Sequence, residues 1–447
     1  MTQKIVDALS QGPATSKELQ ATTGLSQATV ARHLKILADS VIKIPNGRSP
    51  IYAFTRSAFG GDDKLPLYIV DAYGNNSMAG TIRPLSNGQF FLEPATGMPE
   101  LFLGVDKTGL FDDLPYFLQD LRPQGFIGRQ IAIEMAKKSD EFPNDPERWS
   151  TSHIGRYLVS NGDDLPGNLK FGEQAHLRMR QQQLTATAND YPDLANGVLD
   201  GQIPGSSAGG EQPKFTAYCK EKSAHVIVKF SPQGEDPLSS RWRDILITEH
   251  YASQTAKHFE WPVAETRLIE DDGRIFLESV RFDRNGQYGR LSMISLSSVD
   301  AEFVGRGQHW PLIMNTLFAQ DLVSWQHVFD TEQLWVFGRM INNTDMHLGN
   351  LSLAIDGSVF RLLPAYDMWS MGFAPRGAEL RPYSFDLPVF QNLLVTKSPK
   401  FVAPVARYFW DAVVNDPRIS DDFRRFIDNS NVSEKIYEAY ELVAEPT

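Results

Sequence analysis

An α+β architecture, with a small helix-rich head carrying a β-hairpin ahead of a larger mixed body, is predicted by three observations on this sequence. Residues 1–58 set capped helical stripes before two short apolar runs, the remainder mixes strand-like and helical segments without any repeat, and the charge divides at the same place. Within the net charge of −12, residues 1–59 hold seven Lys/Arg against three Asp/Glu, which is +4 and leaves −16 for the rest. A basic head on an acidic body fits a nucleic-acid-binding module joined to something else; ordinary surface charge is the plainer reading. With 447 residues, 42% of them hydrophobic, two or three domains are expected. A single cysteine, Cys219, excludes an internal disulfide and a multi-thiolate metal site. The polar start MTQKIVDALSQG lacks the apolar core of a secretory signal, and no run approaches the roughly 20 apolar residues that span a bilayer, so a cytoplasmic protein without a membrane role is expected.

In the head, Ile5, Val6 and Leu9 make a short apolar stripe, and Thr15 with Glu18 forms a capping box that opens a second helix. Gly24 ends it. Ser26 caps a third helix with Val30, Leu34 and Leu37 on its buried face, while Gln27, Thr29, Arg32, His33 and Lys35 point elsewhere. The runs Val41–Ile44 and Ile51–Phe54 flank Asn46-Gly47, a dipeptide suited to a tight hairpin, so a β-wing carrying Lys43 and Arg48 is expected. The pattern resembles the winged helix-turn-helix of bacterial regulators. It implies DNA binding, with Ser26, Gln27, Thr29, Arg32, His33 and Lys35 toward base edges and Lys43 and Arg48 toward phosphates. A winged helix used only for dimerisation or docking is the other reading.

Residues 59–64, with two glycines and three charges, read as a linker. Strand-like runs follow at 67–71, 78–83 and 89–92, with turn signals between them, and then a helical run at 129–138.

Four pieces of the C-terminal half bear on chemistry, each weak alone. Asn342-Asn-Thr-Asp345-Met-His347-Leu-Gly-Asn350 joins an apolar helical run to a strand. A carboxylate five residues before a carboxamide suits phosphoryl transfer, the Asp taking the proton of an attacking hydroxyl and the Asn holding Mg²⁺; an Asx-rich turn is the plainer reading. Asp367, in Ala365-Tyr-Asp367, is expected at the end of a strand, where it can bind the same metal or simply cap a turn. Lys229 interrupts the apolar strand Ala224–Phe230 and needs an anionic partner, for which Glu249 on the next helix is the candidate; a lysine snorkelling from an edge strand is the alternative. Gly205-Ser206-Ser207-Ala-Gly209-Gly210-Glu-Gln-Pro-Lys214 is a small, flexible loop whose amides can cradle phosphate, or else a plain linker.

In chain order these pieces are phosphate loop, strand lysine, helix glutamate, catalytic loop and metal aspartate. With Arg281-Phe-Asp-Arg284 and Gly162-Asp-Asp-Leu-Pro-Gly167 added, residues 65–447 resemble the HipA family of bacterial serine/threonine kinase toxins. The resemblance implies an α+β, protein-kinase-like bilobal HipA fold behind the winged helix-turn-helix. The head would occupy 1–58, a HipA-like N-terminal subdomain 65–165, and the kinase core with its helical C-terminal lobe 166–447. It further implies ATP and Mg²⁺ as cofactors, Asp345 as catalytic base, and Asn350 and Asp367 as metal ligands. Lys229, Glu249, Val280, Phe282, Ser207, Gly209, Gly210 and Lys214 would line the ATP site, and Ser207, with Ser206 as the alternative, would be autophosphorylated. Implied partners are DNA, a protein substrate, a HipB-like antitoxin and a second copy in a homodimer. Three features depart from the family: Gly349 stands where Lys is common, Val280 stands where an acidic residue is common, and the winged helix is fused. A transcription regulator whose kinase-like body only senses nucleotide is the competing reading.

Overall fold

The computed structural model describes residues 1–441 except 163, 178–182, 202–211, 308, 377–378 and 392. The head forms the helices Thr2–Gln11, Ser16–Thr23 and Gln27–Ile36, the second and third opened by their caps. Thr15 accepts the Glu18 amide while Glu18 takes the Thr15 N–H at 2.7 Å. Gly24 stops that helix at φ 71°, a left-handed conformation that glycine adopts at no Cβ cost. Ser26 accepts from Thr29 N at 3.3 Å and opens the third helix. Ile5, Leu9, Leu19, Val30, Leu34 and Val41 close a small core.

Two head expectations are corrected. His33 is buried rather than exposed, its Nδ1 2.9 Å from Thr2 Oγ1, because it falls three residues after Val30 on the stripe that meets the first helix. The wing strands Val41–Ile44 and Ile51–Phe54 do pair, Ile44 opposite Ile51, but residues 45–50 join them as a longer loop in which only Gly47 has positive φ. Asn46-Gly47 is therefore not a two-residue turn.

Residues 59–64 are not a free linker either. Phe59 is buried, stacked on Phe90 at 5.8 Å between ring centroids and edge-on to Phe171 at 6.2 Å. Asp63 accepts from Thr55 Oγ1 at 2.7 Å and Arg83 Nη2 at 2.6 Å. Reciprocal backbone bonds, Arg56 N to Pro84 O at 2.9 Å and Ser86 N to Phe54 O at 2.8 Å, carry the wing onto the next sheet. Ile44, Ala53, Leu85 and Phe91 seal that junction with a shared apolar patch.

The next sheet is antiparallel throughout, in the order Leu110–Phe111, Phe90–Pro94, Asn76–Pro84, Leu65–Val70, Leu169–Phe171. Its last strand lies beyond residue 165, the expected edge of that subdomain, and the helix expected at 129–138 begins earlier, at Gly125. A second five-stranded sheet runs Thr266–Asp271, Arg274–Val280, Ala224–Phe230, Lys214–Cys219, Thr185–Ala186, and the helix Pro237–His258 packs beside it. Below it stand the helices Trp325–Met340 and Ser398–Asn415, packed on one another, and a small sheet of Ile294–Ser295, Ser352–Asp356 and Val359–Leu362. Among the described residues no helix is long and apolar enough to cross a membrane.

Candidate active site

Strand register builds the first half of the site. In the antiparallel pair of Lys214–Cys219 with Ala224–Phe230, Lys214 lies directly opposite Lys229, and both side chains are buried. Like charges facing each other in a core require anions. Glu249, from the helix Pro237–His258, accepts from Lys229 Nζ through both carboxylate oxygens, at 2.6 and 2.7 Å, and Asp367 Oδ1 accepts at 2.5 Å. The Trp369 ring lies 4.9 Å from the same ammonium. Burial alone would depress the Lys229 pKa, but Asp367 and Glu249 outweigh it and hold the group charged, above its ordinary value. For Asp367, burial pushes up, Lys229 and Lys214 pull down harder, and the net shift is downward.

Asp367 does not end a strand, as the sequence suggested. It follows the bridge between Ala365 and Val263, past the strand Val359–Leu362, at φ 53°. Asp is among the non-glycine residues that adopt this left-handed region most readily.

The second half is the loop after Trp325–Met340. Asn343 Oδ1 accepts from Asp345 N at 3.0 Å while its Nδ2 donates to Asp367 O at 3.3 Å, so one side chain ties the two acidic positions together. Asn350 Nδ2 donates to Asp345 O at 2.7 Å. His347 Nδ1 accepts from Gly349 N at 3.0 Å, and its Nε2 stands 3.7 Å from Asp345 Oδ1. The Tyr366 hydroxyl donates to Gly349 O at 3.0 Å, and Trp310 Nε1 donates to His347 O at 2.9 Å. Asp345 is half-buried; burial raises its pKa first of all, His347 opposes and Asp367 reinforces, leaving a carboxylate more basic than usual.

A cavity of about 550 Å³ opens between these halves, lined by Lys214, Lys229, Glu249, Val280, Phe282, Asn350 and Asp367 among the expected residues. Val280 N donates to Glu265 O and Arg281 N to His225 O, whereas the next amide, that of Phe282, has no backbone acceptor among the described residues. Ser206, Ser207, Gly209 and Gly210 lie outside the described residues. The cavity wall also includes Gln119, Asp120, Arg122 and Gln124, from a segment in which the sequence shows no chemistry. Asp120 is turned inward by accepting Ser295 N at 2.9 Å and Ser298 Oγ at 2.9 Å, long-range contacts without a local signature.

The two supporting motifs meet at its rim. Asp283 accepts from Arg281 Nε at 3.0 Å, Arg284 Nη1 at 2.5 Å and Gly167 N at 2.9 Å, and Asp164 accepts from Arg284 Nη2 at 2.7 Å. Burial would raise both carboxyls, but the arginines hold them well below the usual range. On the head, Ser26, Gln27, Arg32, Lys35, Lys43 and Arg48 are exposed and Thr29 is half-buried.

Three segments match known families: residues 3–40 a bacterial regulatory protein of the arsR family, 61–180 the middle domain of a YjjJ-like toxin, and 206–406 a HipA-like C-terminal domain. HipA of Shewanella oneidensis MR-1, solved with HipB and its operator DNA, shares the fold at a TM-score of 0.59 and 17% identity, over 85% of this chain and 100% of its own. Fold and matches define a HipA-like, kinase-like toxin body with a helix-turn-helix DNA-binding head. Toxin YjjJ of Escherichia coli (strain K12) is 36% identical over 453 residues, 99% of each chain, and this chain belongs to that family of HipA-like toxins.

Proposed function

We propose that this toxin is an ATP- and Mg²⁺-dependent protein serine/threonine kinase that acts in the cytoplasm, autophosphorylates in its Gly/Ser loop, and binds DNA through its head. The observation that carries the reading is Asn343, which joins Asp345 to Asp367 beside the buried Lys229–Glu249 pair. In this assignment Asp345 takes the proton of a serine or threonine hydroxyl as its oxygen bonds to the γ-phosphorus. The bond from that phosphorus to the β–γ bridging oxygen breaks, and ADP leaves with the electron pair. Lys229 and Lys214 offer positive charge to the phosphates, and Val280 and Phe282 flank the base. Asp367 and Asn350 would hold Mg²⁺, their side-chain oxygens being hard donors of the kind it takes. Bound there, Mg²⁺ neutralises charge on the phosphate oxygens.

Transfer of labelled γ-phosphate to the chain itself and to lysate protein is the test, and Asp345→Ala is expected to lower it at least about 100-fold. Equal labelling by both proteins would sink the reading. Operator binding tuned by ATP without any turnover would favour a nucleotide-sensing regulator. For the head, Arg32, Lys35, Lys43 and Arg48 are the proposed contacts, with Gln27 and Thr29 on the same face. Ser26 acts as the helix cap, and His33 is withdrawn. Each lost phosphate contact is expected to reduce the salt dependence of DNA binding by about one unit of slope. A HipB-like antitoxin and a homodimer are the further partners proposed, by analogy with the HipA–HipB–operator complex.

A further inference from the structure

A second cavity, of about 530 Å³, lies on the far side of the loop that carries Asp345. Asn342, Asn343 and Thr344 form part of its wall, whereas His347, Gly349 and Asn350 line the first cavity. Asp345 lines neither; Thr344 just before it lines the second cavity, and His347, two residues after it, lines the first. The opposite wall comes from residues 371–376 and 381–389, which follow Asp367 in the chain.

The second cavity is basic in an otherwise acidic body. Arg241, Arg339, Arg376 and Arg381 line it against one carboxylate, Asp386. Arg339 and Arg381 are exposed. Arg339 has no carboxylate within ion-pair distance among the described residues, and Arg381 has Glu379 only at 3.8 Å. Arg241 is held in place without being neutralised: its guanidinium stacks 3.6 Å from the Tyr383 centroid, and Nη1 donates to Phe373 O at 3.1 Å and Arg381 O at 3.2 Å. A basic residue in the last turn complements a helix dipole, and that would account for Arg339 at the end of Trp325–Met340. It does not account for four arginines converging from three segments on one concavity.

We infer that this cavity binds acidic side chains of the protein substrate that flank the phosphoacceptor hydroxyl. The inference rests on the kinase reading of the first cavity and names the substrate class for it. An acceptor at Asp345 has its neighbouring residues at the mouth of the second cavity, where guanidinium groups recognise carboxylates with charge-assisted hydrogen bonds. The basic surface is a pocket rather than an extended track, which suits a peptide and not a nucleic-acid backbone.

The test measures binding and so does not depend on turnover. The full chain is titrated by fluorescence anisotropy with a labelled peptide bearing a serine flanked by glutamates, with its glutamine counterpart, and with a single-stranded oligonucleotide of equal charge. The acidic peptide is expected to bind about tenfold more tightly than the glutamine form, and Arg339→Glu or Arg381→Glu to weaken it by about tenfold. Equal affinity for the two peptides, or indifference to both charge reversals, overturns the inference. Tighter binding of the oligonucleotide, lost on the same reversals, overturns it in favour of nucleic acid. Asp345→Ala is expected to bind the acidic peptide as wild type does while failing to transfer phosphate. Failure of the kinase reading would thus appear as a transfer result, separately from peptide binding.

Discussion

Replacing Lys229 with methionine removes the cation that Glu249 and Asp367 share, and the consequence can be worked from the contacts. Side-chain exposure is 5% for Lys229 and Glu249 and 19% for Asp367, so water screens the first pair little and the second somewhat. At an effective dielectric of about 20 and a separation of ~3 Å, each ionised contact is worth roughly 5 kcal/mol of attraction, set against several kcal/mol of desolvation per ion. Breaking such a pair typically costs about 3–5 kcal/mol because the partner charge is orphaned. Here the lower end is expected, about 3 kcal/mol, since Lys214 directly opposite keeps one positive charge near the carboxylates. The double variant Lys229→Met/Glu249→Gln removes one of the two orphaned carboxylates, leaving Asp367, and is expected to recover about 1–2 kcal/mol of that loss. Urea denaturation of the four proteins in the cycle, compared by midpoint at unchanged slope, measures the coupling. The pH dependence has a defined sign. Asp367 titrates below its unfolded value of about 3.9, so its stabilisation is present above that pH and is lost as pH falls through the folded pKa. The gap between wild type and Lys229→Met should therefore narrow below about pH 4. Strictly additive single costs, or a gap unchanged down to acid, would refute the reasoning.

Asn343→Ala removes both ties of the acidic pair, and a misplacement of about 1 Å predicts a loss of roughly 100-fold in kcat with KM for ATP little changed; an effect confined to KM would argue against positioning. Gly155→Ala builds a Cβ 2.3 Å from the Phe59 ring, so overpacking of about 1–3 kcal/mol is expected by urea denaturation, and a change under about 0.5 kcal/mol would show that the junction yields. His225 is pushed down to about 4 by burial, with the nearby arginines adding to the effect, and its Nε2 lies 3.0 Å from Gln287 O. The unfolded chain therefore binds the extra proton, and stability should fall as pH drops from about 6.5 toward about 4, by on the order of 2–3 kcal/mol. His225→Gln should flatten that part of the stability–pH profile relative to wild type.

What could be read from the chain is what local rules and charge necessity determine. Thr15 with Glu18, Gly24 and Ser26 each act within a few residues of themselves, so the head's second and third helices were legible from their caps. Lys229 was legible because an ammonium in an apolar strand demands an anion wherever the fold finds one, and Glu249 was the carboxylate on the next helix. Its cross-strand neighbour Lys214 was named only for its place after the Gly/Ser loop, since facing Lys229 depends on register, which pairing sets. Asp120 is turned into the cavity by contacts with Ser295 and Ser298, far along the chain, and no spacing encodes that; Arg122 and Gln124 line the cavity from the same segment. His33 failed because a helical stripe meeting two partners is wider than the apolar residues that mark it.

The junction at residues 55–63 shows why composition misleads there. Two glycines and three charges describe a flexible segment, yet Asp63 is bound by Thr55 and Arg83, and Phe59 fills the space that Gly155 leaves in the helix Thr151–Asn161. One buried aromatic ring and one half-buried carboxylate with two partners are enough to override the entropy of two glycines. The wing therefore continues into the same antiparallel sheet region whose polypeptide supplies Asp120 and Arg122 to the cavity wall. A head tethered by a flexible linker would sample many orientations relative to the cleft. A head joined through Phe54, Arg56 and Phe59 instead presents the exposed face of its third helix in one orientation, so on the proposed function DNA at the head and nucleotide in the cleft would be held in a fixed relation through that junction.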